Sequence, residues 1–93
     1  MAWWNKLFRR LHGTLEGRKY RTLTALYNLD ASRSATLLDF GFTLGTYIKE
    51  QERRADGQYV DRFGGALVGP FRSPDLAERF IVRTDWFSGR DSA

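Results

Sequence analysis

A chain of 93 residues, 42% hydrophobic and 15% aromatic, has room for one small hydrophobic core and is too apolar for intrinsic disorder. The absence of cysteine excludes disulfides and thiolate metal sites, and with no signal sequence in view it leads us to expect a cytoplasmic protein. The formal net charge is +4, and no apolar run approaches the roughly 20 residues that a membrane-spanning helix needs.

The positive charge belongs to the first 20 residues. This segment contains Glu16 and five basic residues, namely Lys6, Arg9, Arg10, Arg18 and Lys19. It therefore carries the whole net charge, and acidic and basic residues balance in the rest of the chain. A nucleic-acid-binding domain usually spreads its basic residues over a face or a groove, so here the positive field would have to come from an N-terminal arm.

Residues 1–13 have the clearest helical pattern in the chain. At about 100° per residue, one side of the helical wheel is apolar and the other is polar or basic. The apolar side consists of Trp3, Trp4, Leu7, Phe8 and Leu11, and the polar side of Asn5, Lys6, Arg9, Arg10 and His12. Gly13 is a suitable end for a helix. The pattern predicts an amphipathic, basic N-terminal helix.

Residues 19–72 have the alternation of an antiparallel sheet. A first strand is predicted over residues 19–29, where apolar and polar residues alternate, and a turn follows at residues 30–34. In the next stretch one face is shared by Leu38, Phe40, Phe42, Leu44, Thr46 and Ile48. We predict one bent strand over residues 35–53, or two strands if the chain breaks between Gly41 and Gly45.

A hairpin and a third strand complete the predicted sheet. Asp56 and Gly57 tolerate the positive φ angles that a tight turn demands. In the strand after this turn, one predicted face contains Tyr59, Phe63, Leu67 and Phe71. Gly64 and Gly65 interrupt the alternation, so we expect this strand to be bulged.

Residues 73–84 are predicted to form a second helix. Ser73 can cap its N-terminus, Pro74 suits the first helical position, and Asp75 interacts favourably with the helix dipole. The predicted inner stripe consists of Leu76, Ala77, Phe80 and Ile81. Residues 88–93 are expected to form a frayed tail.

Together these elements predict a single α+β domain over residues 1–93. Its order is an N-terminal amphipathic helix, a three-stranded or four-stranded antiparallel meander, and a C-terminal helix packed on one face of the sheet. A sheet of this kind must bury one face, so one or both helices are expected to cover it.

Few residues in the chain could carry catalysis. His12 is the only imidazole, and on the polar side of a helix its ordinary role is that of a solvated side chain. Glu50, Glu52 and Asp61 could form an acid cluster across the hairpin. Because basic residues are interleaved with them, a cross-strand salt-bridge face is the stronger interpretation. We therefore expect a protein that is not an enzyme and has no cofactor and no metal site.

Three interpretations stay open for the N-terminal helix. Its aromatic side either covers the sheet as part of the core, binds a groove of a partner protein, or lies on an anionic membrane surface. Trp and Arg dominate interface energies, so the predicted partner contacts are Trp3, Trp4, Phe8, Arg9 and Arg10. Trp86 and Phe87 are secondary candidates, because they either fill the core or, if exposed, become further anchors.

Nucleic acid is the rival class of partner. The predicted strands contain four tyrosines that could stack bases, namely Tyr20, Tyr27, Tyr47 and Tyr59. The predicted sheet has no basic excess, however, and no recognised nucleic-acid-binding motif is present. The leading hypothesis is a small non-enzymatic protein-binding module, such as an adaptor, an accessory subunit or a phage-style inhibitor, with no small-molecule substrate.

Overall fold

The computed structural model describes residues 9–10, 15 and 17–92, with residues 9, 10 and 92 described by their backbone alone. The strands are β1 Arg9–Arg10, β2 Arg21–Tyr27, β3 Arg33–Asp39, β4 Thr46–Arg53, β5 Tyr59–Asp61 and β6 Leu67–Phe71. Within residues 17–92 the helices are α1 Pro74–Val82 and α2 Asp85–Ser88, and 3-10 turns lie at Arg62–Gly65 and Arg90–Ser92. The chain is therefore a small α+β fold with an antiparallel sheet and a C-terminal helix.

The sheet is a meander with one added strand. Its strands lie in the order β1-β6-β4-β3-β2, and β5 pairs with the far end of β4. β5 and β6 both lie antiparallel to β4, with Tyr59 opposite Arg53 and Val68 opposite Ile48. The 3-10 turn between them supplies the interruption that Gly64 and Gly65 predicted. Together β5 and β6 act as one strand beside β4 with a bulge in its middle.

Residues 35–53 form two strands, so the alternative with a break between Gly41 and Gly45 is correct. Phe40 N donates to Gly45 O at 2.9 Å, which closes a tight loop between β3 and β4. Gly45 adopts a φ of +91°, and a Cβ atom there would lie 2.9 Å from the carbonyl oxygen of Phe71. The loop therefore requires glycine at this position. It also leaves Phe42 fully exposed, so this ring does not share a buried face with its neighbours.

The helix predicted over residues 1–13 is wrong at Arg9 and Arg10. These two residues form β1, in which Arg9 lies opposite Val68 and Arg10 opposite Leu67. The other positions of the predicted helix lie outside the described residues. The physical reason is that an isolated helix this short is marginal in water. Pairing with the edge of β6 instead satisfies the backbone groups of both strands.

The two faces of the sheet are covered in different ways. On the helix-covered face, α1 and α2 bury a cluster made of Ala35, Leu37, Ile48, Val68, Ala77, Ile81, Trp86 and Phe87. On the opposite face, Leu15 packs with Leu38, Phe40 and Tyr47. Leu15 is buried at this face, which α1 and α2 do not cover.

The start of α1 agrees with its sequence signals. Ser73 Oγ accepts a hydrogen bond from Leu76 N at 3.3 Å, Pro74 opens the helix, and Asp75 lies in its first turn. Ala77 and Ile81 are fully buried, as predicted, but Leu76 is exposed. At nine residues α1 is the longest described helix, and no helix in the described part of the chain has the length and apolarity that crossing a membrane requires.

The chain after α1 folds back onto the sheet. Thr84 Oγ1 caps α2 by accepting a hydrogen bond from Phe87 N at 3.2 Å. Arg90–Ser92 then form a 3-10 turn, in which Asp91 makes an ion pair with Arg33 at 2.5 Å. Of the residues 88–93 that were expected to form a frayed tail, Arg90–Ser92 thus have a regular 3-10 turn with a contact to β3.

Candidate binding surfaces

Trp86 and Phe87 are part of the core. Both rings are buried in the cluster between the sheet and the helices, and Trp86 Nε1 donates to Glu52 Oε2 at 3.2 Å. The alternative in which this pair fills the core is therefore the one that the structure has. Neither ring offers area to a partner in this conformation.

Two arginines contact the Trp86 ring. The guanidinium carbon of Arg62 lies 4.4 Å from the ring centroid and that of Arg33 lies 5.3 Å from it. Arg33 also donates to the carbonyl oxygen of Trp86 and lies 3.6 Å from Glu52. These contacts combine cation–π attraction with ion pairing. They fasten α2 to β3 and β4 and give the cluster a structural role.

Glu50 is a buried carboxylate on the helix-covered face. Its side chain is 3% exposed, and Arg62 Nη1 lies 2.5 Å from Glu50 Oε1. Burial raises the pKa of the Glu50 carboxyl above its ordinary value of 4.5, and the hydrogen bond and charge of Arg62 oppose this shift. The ion pair therefore offsets only part of the cost of burying the charge.

The three acidic residues considered for catalysis do not converge. Glu50 and Glu52 share the helix-covered face, as their spacing predicted. Asp61 lies on the opposite face, where it accepts a hydrogen bond from Gln51 Nε2 at 2.8 Å and lies 3.8 Å from Lys49 Nζ. Within residues 17–91, no group of three acidic or imidazole side chains could hold a metal ion. Each acid instead has a basic partner, which matches a salt-bridge network.

The other predicted partner contacts are not located. Trp3, Trp4 and Phe8 lie outside the described residues, as does His12. Arg9 and Arg10 are placed in β1 by their backbone, and nothing is described of their side chains. The aromatic and arginine contact set of the N-terminal segment therefore stays a prediction.

The outer edge of β2 is an exposed sheet edge. Asn28 N donates to Arg33 O at 3.2 Å, which shows which residues of this strand face β3. Backbone groups of alternate residues point to the same side of a strand, so the N–H and C=O groups of Leu26 also point towards β3. Those of Ala25 and Tyr27 point the opposite way, towards the outer side of β2. Among the described strands, none pairs with this outer side.

The surroundings of the β2 edge are aromatic and basic. Tyr27 is 57% exposed and makes an edge contact with Tyr59, with ring centroids 6.1 Å apart. At the other end of β2, the Arg21 side chain is 78% exposed and lies 3.4 Å from Asp39. Arg18 and Lys19, just before the strand, are also exposed. The edge therefore combines free backbone groups with side chains that suit a protein interface.

A cavity of about 250 Å³ lies on the opposite face. One wall includes Leu15 and Gly17, and the floor includes Leu38, Phe40 and Leu67. Arg18, Lys49 and Asp61 supply its charged groups. The cavity is thus mostly apolar inside with a mixed charge at its rim.

Sequence reasoning singled out neither the β2 edge nor the cavity. The edge could have been inferred from strand order, because the first strand of a meander lies at an edge unless another segment covers it. The cavity could not be inferred, because its walls come from segments far apart in the chain.

Comparison with protein-family models, with curated proteins and with solved structures finds no match to this chain.

Proposed function

We propose that this chain is a non-enzymatic protein-binding module that adds an extended segment of a partner protein to the outer edge of β2. The observation that carries the proposal is the set of outward backbone groups of Ala25 and Tyr27, which have no partner within the described part of the chain. A sheet edge without proline or lysine is a template for another strand. β2 contains neither residue.

The usable part of this edge is short, which limits what backbone pairing can contribute. The register shifts between Thr22 and Thr24, so the regular part of β2 runs from Thr24 to Tyr27. Two outward residues can make up to four hydrogen bonds, and at about 1 kcal/mol each these correspond to a Kd of about 1 mM. Side-chain contacts must therefore supply most of the affinity and all of the specificity.

The exposed side chains indicate the chemistry of the partner segment. Arg18, Lys19 and Arg21 form a basic group at the start of β2, and Tyr27 presents an exposed ring at its end. A matching segment is extended, carries acidic residues near one end, and has an apolar side chain to pack on Tyr27.

The test removes one outward donor and leaves the fold in place. Ala25→Pro deletes an N–H that points away from β3, so the β2–β3 hydrogen bonds stay intact. Ala55→Pro is the matched control, because Ala55 lies in the hairpin turn closed by Gly57 N to Arg54 O, where proline is tolerated. We expect the wild type and Ala55→Pro to retain the same host partner in affinity capture and Ala25→Pro to lose it.

Amide exchange then locates the contact. In the complex, the amides of Ala25 and Tyr27 should gain protection, because they are the donors that a new strand would engage. A partner that binds Ala25→Pro as tightly as the wild type would contradict the proposal. If Trp4→Ala with Phe8→Ala abolishes capture while Ala25→Pro does not, the interface is the N-terminal contact set and not the β2 edge.

Nucleic acid stays a second candidate because of the residues just before β2. Tyr20 is exposed next to Arg18, Lys19 and Arg21, an arrangement suited to base stacking and phosphate contact. Tyr47 is buried and the Tyr59 hydroxyl donates a hydrogen bond to Ala31 O, so neither ring is available for base stacking.

Binding to a single-stranded oligonucleotide should weaken steeply with salt. Arg18→Ala with Lys19→Ala should lower the slope of log K against log salt concentration by about 1.4. An affinity that does not change with salt would exclude nucleic-acid binding.

Membrane binding depends on residues outside the described part of the chain and stays a prediction.

A further inference from the structure

The cavity on the opposite face has the size of a binding site for a small molecule. Its volume is about 250 Å³. A cavity of about 150 Å³ holds benzene, and drug-sized ligands need roughly 300 Å³ or more. The space therefore fits one ring with a short chain, or a short acyl chain.

The interior of the cavity is apolar and partly aromatic. Leu15, Leu38 and Phe40 are buried and line it. The Phe40 ring is held between Tyr20 and Tyr47, with ring centroids 5.2 Å and 5.3 Å away. A wall fixed in this way is preorganised for an apolar ligand and loses little freedom on binding.

The rim of the cavity carries one net positive charge. Arg18 and Lys49 are basic and Asp61 is acidic. Asp61 Oδ1 already accepts a hydrogen bond from Gln51 at 2.8 Å, and it lies 3.8 Å from Lys49 Nζ, beyond hydrogen-bond distance. The Lys49 side chain is 42% exposed, so its ammonium keeps donors for a ligand.

We propose that this cavity binds a small amphipathic monocarboxylate, such as an arylalkyl or short acyl acid. The apolar part lies against Leu38, Phe40 and Leu67, and the carboxylate accepts hydrogen bonds at the Lys49 end of the rim. A single anionic group matches the single net charge, and a charge-assisted bond to the ammonium fixes the orientation. The site shares Arg18 with the basic group at the start of β2, but its proposed carboxylate-binding residue, Lys49, lies on β4, so the inference does not depend on the protein-binding function.

The first experiment compares three probes that share one hydrocarbon body. Amide chemical shifts are followed by NMR while the chain is titrated with 4-phenylbutyrate, 4-phenylbutanol or 4-phenylbutylamine. We expect saturable shifts at Leu15, Gly17, Gly65 and Leu67, with the carboxylate binding most tightly and the amine most weakly. Equal affinities for the three probes, or shifts that do not saturate at these residues, would overturn the proposal.

The second experiment tests Lys49 directly. Lys49→Gln should weaken 4-phenylbutyrate about tenfold, since it removes a charge-assisted hydrogen bond, and should leave 4-phenylbutanol unchanged. Arg54→Gln removes one positive charge from the exposed hairpin turn and serves as the matched control, with no change expected for either probe. An equal loss of carboxylate and alcohol binding in Lys49→Gln would show a packing effect and contradict the assignment.

Discussion

Among single residues, Glu50 makes the least expected contribution to the fold. A carboxylate almost never becomes fully buried without a partner, and here Arg62 supplies one from the 3-10 turn that follows β5. Burial nevertheless raises the pKa of Glu50, so the charged form costs more in the folded chain than in water. Glu50 is thus tolerated because of Arg62, and it opposes folding when it is ionised.

This predicts a pH-dependent effect of Glu50→Gln. Because the pKa is raised in the folded state, the cost of the charge is fully present well above the folded pKa and vanishes below the ordinary value of 4.5. The variant should therefore be more stable than the wild type at pH 7, and the difference should shrink as the pH falls towards 4. Urea unfolding of both proteins at several pH values measures the difference in the free energy of unfolding.

Glu78→Gln, on the exposed side of α1, is the control and should change stability by less than about 0.5 kcal/mol. A destabilised Glu50→Gln at pH 7 would mean that the Arg62 pair outweighs burial.

At the scale of elements, local signals succeeded where a few neighbouring residues decide the structure. The turn at Asp56 and Gly57 and the start of α1 at Ser73 agree with the sequence because their hydrogen bonds are made within a few residues. The N-terminal segment failed at Arg9 and Arg10, where pairing with a distant strand competed with helix formation. A helical pattern shows which apolar residues would share one face of a helix, but pairing with an open sheet edge can still make the same segment a strand.

The capping of α1 gives a prediction at this scale. Ser73→Ala removes the acceptor for Leu76 N and should lower the free energy of unfolding by about 1 kcal/mol. Ser73→Asp keeps an acceptor and adds a favourable charge at the helix N-terminus, so it should restore the wild-type stability. Urea unfolding followed by circular dichroism compares the two. Equal losses in both variants would show that the cap is not what stabilises this end of the helix.

At the scale of the whole molecule, the sheet has a second apolar cluster on the face opposite the helices. There Leu15 packs with Leu38, Phe40 and Tyr47. This packing covers apolar surface that the helices leave uncovered. It also forms one wall of the cavity, so the same contact supports stability and the proposed ligand site.

Leu15→Ala tests this packing. The variant leaves a void next to Leu38, Phe40 and Tyr47 and should lose about 2–3 kcal/mol of stability. Leu29→Ala is the matched control, because Leu29 is fully exposed in the turn after β2 and should change stability by less than about 0.5 kcal/mol. Chemical unfolding of both variants gives the comparison. Equal stabilities would contradict a stabilising role for the packing of Leu15 on this face.

The amino-acid sequence by itself determined the class of fold, an antiparallel meander, the hairpin at Gly57 and the capped helix at Ser73, and left open whether residues 35–53 form one strand or two. These features follow from alternation, turn chemistry and capping, which act over a few residues. Only the tertiary structure decided the pairing of β1 with β6, the burial of Trp86 and Phe87, the separation of Asp61 from Glu50, and that no described strand covers the outer edge of β2. Each of these depends on which distant segments meet, because a side chain's burial and a strand's free edge are set by its neighbours in space and not by its own residue type.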